Sequence, residues 1–367
     1  MKIECVKEKL SEAVFRTEKI ASKNATLPVL KCLLFNADKG TLEIKATNLD
    51  VGVECSVPVK VQEAGKVAII GGVLANFLNN LGDSKSITIE TIGEAGIQVS
   101  SEKTKTTIKT LNSDDFPDLP KVTNPITFKI NSQDLVNGLK SVWYSSATTS
   151  IKPELSSVRI YEQEGNLVFV ATDGFRLAEK KIKTKSLPEF NHILIPNKNV
   201  GEIIRLLEDV NGEIDIAIEQ GQIEIRTDSM RIVSRTIDGV FPDYQAIIPK
   251  EFVTEAKILK QDLLNSLRLT NLFSDSFNQI VFSVSTTDKN IDISSKNKDL
   301  GEHASKVESS VEGDDILVQF NYKYLSDCLS SIKNDSVKFS FAGKQKPIIV
   351  RGTEDKSFLY LMMPMNG

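Results

Sequence analysis

The chain has 367 residues, of which 40% are apolar and 26% charged, with a net charge of −4. This length suggests two or three domains with full cores, and the acidic balance argues against a protein whose whole surface adsorbs to nucleic acid. A local basic lining is still compatible with that balance. Because there is neither an apolar run of about 20 residues nor the layout of a signal peptide, we expect a cytoplasmic protein with no membrane partner.

Helix and strand patterns alternate along the chain in a repeating order. Residues 1–122 predict a helix around Leu10, a strand over 41–45, a helix from Leu74 and a strand over 86–90. Residues 123–250 repeat this with Leu135, 167–170, Val200 and 222–226, and residues 251–367 with Leu263, 290–293 and Leu325. The helices show apolar stripes, and the strands alternate as if one face were wet.

The spacing of these elements is nearly constant. Phe116-Pro117-Asp118 recurs 125 residues later as Phe241-Pro242-Asp243, and Pro28 recurs as Pro153. The stripes that begin at Leu74, Val200 and Leu325 keep the same interval to within one residue. Such a period indicates a repeat architecture. We therefore predict an α+β fold of three topologically similar domains, 1–122, 123–250 and 251–367, each with two helices packed on antiparallel sheets.

The side chains that usually carry catalysis or bind metals are sparse. The four cysteines, Cys5, Cys32, Cys55 and Cys328, form no C-x-x-C pair and are expected to be small buried hydrophobes. His192 and His303 are far from them in sequence, which argues against zinc. There is no phosphate-binding loop and no nucleophile elbow. We predict no catalytic residue, metal or cofactor, although a carboxylate-dependent hydrolase and a protein-binding repeat scaffold remain alternatives on the residues alone.

Several motifs resemble those of a known family. Residues 171–178 (ATDGFRLA), 235–244 (RTIDGVFPDY) and 360–365 (YLMMPM) resemble signatures of bacterial beta sliding clamps, the beta subunits of DNA polymerase III, and they occur in the family's order. The resemblance covers the whole chain. It implies a non-enzymatic processivity factor in which two chains join head to tail into a ring around duplex DNA, with helices lining the hole.

The resemblance also implies a groove that binds short peptide motifs. The expected partners are the DNA polymerase III alpha subunit, the clamp loader, and other polymerases and repair proteins. Methionine, leucine and proline suit an adaptable apolar trough, and we expect an exposed apolar patch near the chain end. The predicted groove residues are Leu155, Thr172, Gly174, Phe175, Arg176, Leu177, Pro242, Ile247, Asn321, Tyr324, Leu361, Met363, Pro364 and Met365.

A sliding protein should contact DNA phosphates without reading sequence. Lys198 and Arg205 lie seven apart on one predicted helix face, and Lys140 falls on another predicted helix. The family's loop contacts correspond to Asn24 and Thr149; relatives have a residue such as arginine at the first, and Lys23 is a possible substitute.

The resemblance implies that the first domain of one chain meets the third domain of the other. The predicted edges are the strand around Thr106 and the helix end at Leu272 and Phe273. Strand pairing there would satisfy otherwise open sheet edges.

Overall fold

A computed structural model describes residues 1–21, 27–82, 84–93, 96–149 and 151–365. The first repeat contains β1 (Lys2–Val6), α1 (Lys7–Glu18), β2 (Cys32–Asp38), β3 (Thr41–Thr47), β4 (Val51–Pro58), β5 (Lys60–Glu63), β6 (Gly65–Ile70), α2 (Gly71–Asn80), β7 (Ser86–Ile92), β8 (Gly96–Ser100) and β9 (Lys105–Leu111).

The second and third repeats follow the same order without a counterpart of β5. The second contains β10 (Ile126–Asn131), α3 (Ser132–Val142), β11 (Ser157–Gln163), β12 (Asn166–Thr172), β13 (Arg176–Lys183), β14 (Ile193–Pro196), α4 (Asn197–Leu207), β15 (Glu213–Glu219), β16 (Gln222–Arg226) and β17 (Met230–Arg235). The third contains β18 (Thr254–Leu259), α5 (Lys260–Asn271), β19 (Gln279–Ser285), β20 (Asn290–Asn297), β21 (Gly301–Gly313), β22 (Ile316–Asn321), α6 (Tyr322–Leu329), β23 (Ser336–Phe341), β24 (Ile348–Gly352) and β25 (Phe358–Met362). The predicted α+β class and the pair of helices in each repeat are confirmed.

The described residues form two compact units, and each unit has a continuous antiparallel sheet. Residues 1–133 and 201–236 form one unit, whose strands run in the order β10-β15-β16-β17-β4-β3-β2-β6-β9-β8-β7-β1-β5. Residues 134–200 and 237–367 form the other, with the order β14-β11-β12-β13-β25-β24-β23-β18-β21-β20-β19-β22. The central repeat is divided between the units because its last strand, β17, pairs with β4, and its fourth strand, β13, pairs with β25.

The repeats share a turn between their third and fourth strands. The side-chain oxygen of Asn48 accepts hydrogen bonds from the backbone N–H groups two and three residues onward, those of residues 50 and 51. The side-chain oxygens of Asp173 and Asn297 each accept from the N–H groups at the same two positions. Such side chains stabilise tight turns by replacing a backbone acceptor. Asn48, Asp173 and Asn297 are therefore equivalent positions, which fixes the alignment of the three repeats.

The helices bury the predicted apolar stripes, but one expectation for the strands is wrong. Leu10, Leu74 and Val200 are fully buried, as the helical period required. Strand β12 was expected to have one wet face, yet the side chains of Val168 and Val170 are buried as well as those of the opposite face. The cause is a covering segment, residues 241–248, that packs on the second face of this sheet.

The four cysteines are free and buried, which confirms that they serve as small core residues. Burial raises the pKa of the Cys5 and Cys55 thiols to about 12, so neither is a thiolate at neutral pH. Within the described residues, no helix is long and apolar enough to cross a membrane, and no cluster of three metal-binding side chains occurs.

Candidate functional site

The hairpin formed by β12 and β13 carries five of the predicted groove residues. Thr172 Oγ1 accepts the Gly174 N–H at 3.1 Å, and Gly174 has a φ of +92°, a conformation that disfavours any residue with a Cβ. This tight turn leaves the ring of Phe175 64% exposed at the hairpin tip. Leu177, two residues further, is buried in the core. The turn therefore presents Phe175 and Gly174 to ligands and withdraws Leu177.

Arg176 connects this hairpin to helix α6. Its guanidinium donates hydrogen bonds to Asp173 at 3.0 Å, to Asp327 at 2.6 Å and to the carbonyl of Tyr144 at 2.6 Å, and it stacks 4.4 Å above the ring of Tyr324. All three nitrogens of the fork are thus used within the protein. These contacts hold Arg176 and the Tyr324 ring together at the predicted groove.

Two buried tyrosines, Tyr144 and Tyr360, lie next to this cation. Burial raises the pKa of Tyr144 and Tyr360 well above the usual value for tyrosine. The Tyr360 hydroxyl donates to the carbonyl of Tyr324 at 2.8 Å, which fixes the first turn of α6 to β25. Neutral rings next to a guanidinium form a rigid, mostly apolar floor.

The start of α6 supplies the next predicted residues. Asn321 caps the helix by accepting the Lys323 N–H at 2.9 Å, and its amide donates to the carbonyl of Phe277 at 3.2 Å. The Phe277 side chain is 68% exposed beside this cap. Phe277 lies in a loop without a periodic pattern, so the sequence did not predict it as a groove residue. The one available signal was an isolated aromatic residue in a polar segment.

The chain end follows the same surface. The Met363 N–H donates to the carbonyl of Phe175 at 2.9 Å, and the Met365 N–H donates to the carbonyl of Gln319 at 2.9 Å. Met363, Pro364 and Met365 are half-buried. Leu361 was expected in an exposed patch and is not: it is 1% exposed, because β25 is inserted between β13 and β24. The patch therefore begins after Leu361.

The segment 241–248 borders the hairpin on another side. Phe241 and Tyr244 are buried, whereas Pro242 and Ile247 are exposed. The Tyr244 hydroxyl donates to the Glu179 carboxylate at 2.5 Å and lies 2.7 Å from the Tyr161 hydroxyl, and burial raises the pKa of Tyr244. These anchors hold Pro242 and Ile247 at the surface.

The structure joins several predicted groove residues through these bonds. Phe175, Arg176, Tyr324 and Met363 belong to one connected set, with Asn321 adjoining it through the helix. Thr172 and Leu177 are buried, so they support the surface from below. Leu155 is half-buried in the loop after α3, where its carbonyl accepts the Ala147 N–H at 2.8 Å.

The predicted DNA-facing residues lie at the surface where they are described. Lys140 on α3, Lys198 and Arg205 on α4, and Thr149 are exposed. Arg205 forms an ion pair with Glu202, its guanidinium donates to the Lys19 carbonyl, and the Lys19 ammonium donates to the Arg205 carbonyl. Lys23 and Asn24 lie outside the described residues.

The predicted dimer residues lie on β9 and beside β21. Thr106 is half-buried in β9 opposite Val99 of β8. At the end of α5, Leu272 is 64% exposed, while Phe273 stacks on His303 of β21 with ring centres 5.9 Å apart. Leu300 lies at the turn before β21 and is 65% exposed.

Comparison with known proteins accounts for almost every residue of the chain. Residues 1–120 match the N-terminal domain of the DNA polymerase III beta subunit, residues 129–243 its central domain, and residues 245–366 its C-terminal domain. The chain is 25% identical over 358 residues to proteins named beta sliding clamp from Staphylococcus epidermidis and Staphylococcus aureus, with 95% of each chain covered.

Solved structures have the same fold. The beta subunit of Pseudomonas aeruginosa superimposes with a TM-score of 0.95 at 24% identity, over the full length of both chains. The sliding clamp of Bacillus subtilis has a TM-score of 0.94 at 23% identity, covering 100% of this chain and 99% of that one. The repeats, the strand order and the three matched domains lead to one conclusion: this chain belongs to the DNA polymerase III beta subunit family of sliding clamps.

Proposed function

We propose that this sliding clamp closes as a head-to-tail homodimer around duplex DNA, tethers polymerases through a peptide-binding groove, and has no catalytic activity. We further propose that its domains are residues 1–122, 123–250 and 251–367. The observation that carries the proposal is a pairing of strands from successive repeats, here called a junction, which occurs twice in the chain. The two strands that correspond to a third junction, one in the first repeat and one in the third, are not paired with each other.

The two junctions are equivalent. The last strand of the second repeat, β17, pairs with β4, the fourth strand of the first, so that Val51 lies opposite Ser234. The last strand of the third repeat, β25, pairs with β13, so that Arg176 lies opposite Met362. The strands that remain are β9, the last strand of the first repeat, and β21, which follows the shared turn in the third.

Both remaining strands have an open edge among the described residues. Strand β9 pairs with β8 over 105–109 and with β6 only at Thr110 and Leu111. Strand β21 pairs with β20 over 301–308 and with β18 over 309–313. Open edges of this kind favour association with another chain. Pairing β9 with β21 of a second copy would create a third junction of the same type, and the reciprocal pair would close the dimer.

Repeat equivalence also specifies the register of this junction. Residues 105–109 correspond to 230–234, and Leu300 corresponds to Val51 and Arg176 through the shared turn. We therefore place Leu300 opposite Lys109 and Ala304 opposite Lys105 of the second copy. Glu302 would then lie diagonally between two lysines, a favourable cross-strand arrangement. Leu272 and Phe273 would cover the apolar side of the junction.

The exposed cations support contact with DNA phosphates. Lys140, Lys198 and Arg205 lie on helices α3 and α4, and the family carries its DNA contacts on such helices. We propose that they face the duplex together with Thr149, Lys23 and Asn24. Contacts of this kind hold DNA without sequence preference and weaken as salt rises.

The surface around Phe175 supports peptide binding. It combines the exposed rings of Phe175 and Phe277 with Pro242, Ile247 and the methionines of the chain end, all adaptable apolar groups. We propose that short apolar motifs of the DNA polymerase III alpha subunit, the clamp loader, and other polymerases and repair proteins bind there. A crystal structure of the Pseudomonas aeruginosa sliding clamp holds griselimycin, which is consistent with a ligand-binding surface in this family.

Solution mass tests the dimer. Light scattering at micromolar concentration should give about twice 40.6 kDa for the natural chain.

A variant of β9 tests the proposed strand pairing. The N–H of Ser101 bonds to the Thr104 carbonyl, and the alternation of an antiparallel ladder then directs the N–H of Thr107 away from β8. Thr107→Pro should therefore lower dimer affinity by at least about tenfold while β9 stays paired with β8. Thr107→Val retains the N–H and is the control.

Phe273→Glu should also favour the monomer, because it places a charge at the proposed junction. If the dimer closes as a ring, the natural chain should be retained on circular DNA but not on linear DNA. A natural chain that stays monomeric, or a Thr107→Pro variant that dimerises as tightly as Thr107→Val, would reject the proposed junction.

Peptide binding has a separate test. Met363→Ala, or deletion of residues 364–367, should abolish binding of a polymerase-derived apolar peptide and leave the fold intact. Titration of a fluorescent peptide measures this directly, with Lys60→Ala, at an exposed strand of the first unit, as the control. Unchanged affinity in both groove variants would remove the assignment.

A further inference from the structure

The first junction contains a cavity that the clamp function does not use. Its volume is about 490 Å³, and it lies between strands of the first unit's sheet and the segment 117–121. This size is typical of sites for small organic ligands. Its lining includes four cationic and two anionic side chains: Lys45, Lys66, Lys121, Arg231, Glu54 and Asp118.

Internal ion pairs neutralise the inner part of this lining. Lys45 lies 3.3 Å from Glu43 and 3.1 Å from Glu54, and Arg231 lies 2.8 Å from Glu224. The other donors of Arg231 include a hydrogen bond to the carbonyl of Pro120. These groups have partners already and give the cavity a fixed polar floor.

The outer part has a surplus of positive charge. Lys66 and Lys121 are exposed, and their side-chain ammonium groups have no hydrogen bond or ion pair within the described residues. Asp118 is the carboxylate at the same rim, so two cations face one anion. Leu34, Pro117 and Leu119 complete the lining as an apolar wall.

The position of the wall is fixed by the backbone. The amide of Gln222 donates to the carbonyl of Lys121 at 3.4 Å, and the Glu219 carboxylate accepts the backbone N–H groups of Thr123 and Asn124. A cavity with a rigid wall requires little ordering when a ligand binds. The lysines at its rim are long and can adapt to the ligand.

We infer that this cavity binds a small phosphate ester, with the phosphate between Lys66 and Lys121 and the organic group against Leu34, Pro117 and Leu119. Lysine suits phosphate as a compact charge with three donors. Asp118 is placed to accept a hydrogen bond from a hydroxyl or amino group of the same ligand. This combination favours an ester, such as a nucleoside diphosphate, over a simple inorganic anion.

Calorimetric titration of the full chain tests the inference. The probes are a nucleoside diphosphate, inorganic pyrophosphate and an acidic peptide, all at one ionic strength. The nucleoside diphosphate should bind more tightly than pyrophosphate because of the apolar wall. Equal binding of the two would still support a phosphate site but would reject the role of the wall. Binding of the acidic peptide alone would overturn the inference.

Variants locate the site. Lys66→Ala and Lys121→Ala should each weaken binding by about tenfold, equivalent to about 1.4 kcal/mol. Both residues are exposed, so folding should be unaffected, which circular dichroism checks. Lys60→Ala removes an exposed lysine of the same unit and should change nothing. Absence of measurable binding by the natural chain, or affinity that neither Lys66→Ala nor Lys121→Ala lowers, would overturn the assignment.

Discussion

The two strand junctions in this chain share a backbone plan and differ in what fills their outer face. At the second junction, Tyr161, Val168 and Val170 form an apolar cluster under Tyr244. The residues 125 positions earlier are Asn36, Glu43, Lys45 and Leu119. They give ion pairs and a cavity at the first junction. Equivalent backbones can therefore support either a dry core or a polar site, according to a few outward-facing side chains.

The covering segments explain part of this difference. Phe116 and Phe241 are both buried and anchor their segments in the same way. Three residues later, Tyr244 reaches Glu179 and fills the second junction, whereas Leu119 lies against Gly52. Gly52 occupies the position of Leu177, so the first junction lacks a large side chain there. We attribute the cavity to these two differences between the repeats: leucine at 119 where the second repeat has Tyr244, and glycine at 52 where it has Leu177.

The largest expected effect is at Tyr244. Tyr244→Ala removes a buried ring and the short hydrogen bond from its hydroxyl to the Glu179 carboxylate, so we expect a loss of about 3–5 kcal/mol. Hydrogen exchange of the amides in β13 and β25 should report it. Leu119→Ala at the first junction should cost only about 1 kcal/mol, because that side chain is half-exposed. Similar losses at both positions would contradict the contrast.

Arg176 comes next. Its counterpart at the first junction is Val51, which has no charge to satisfy. Arg176→Lys retains the charge but cannot bond Asp173, Asp327 and the Tyr144 carbonyl together, so we expect about 1–3 kcal/mol of destabilisation. Peptide affinity should fall in parallel because Tyr324 loses its support. If peptide affinity stayed unchanged while stability fell, Arg176 would have no part in shaping the groove.

A smaller effect is expected at Gly52. A Cβ atom there would lie 2.4 Å from a terminal carbon of Leu119, so Leu119 must move. Gly52→Ala should cost about 1 kcal/mol. Combining it with Leu119→Ala should remove most of that cost. Additive losses in a thermal unfolding cycle would mean that the two residues do not share this contact.

The smallest effect concerns Glu219, which fastens the chain between the first two repeats. Hydrogen bonds from Thr123 and Gln222 lower the pKa of this carboxyl to about 2. Because the folded pKa lies below the usual value of 4.5, its stabilisation is present above that value and is lost as pH falls towards 2. Glu219→Gln should remove this pH dependence from the exchange of the Thr123 and Asn124 amides. Equal pH dependence in both proteins would disprove the role.

The sequence by itself determined the helices and the repeat, because apolar periodicity and turn chemistry act over a few residues, and its motifs carried the resemblance to the family. Tertiary structure decided the rest. The burial of Leu361 depends on β25 lying between two other strands, and the wholly buried β12 depends on a segment some 75 residues away in the chain. The bonds of Arg176 join residues up to 151 positions apart. Local patterns report which residues favour a strand or a helix, but the groups that a side chain finally contacts are set by long-range packing.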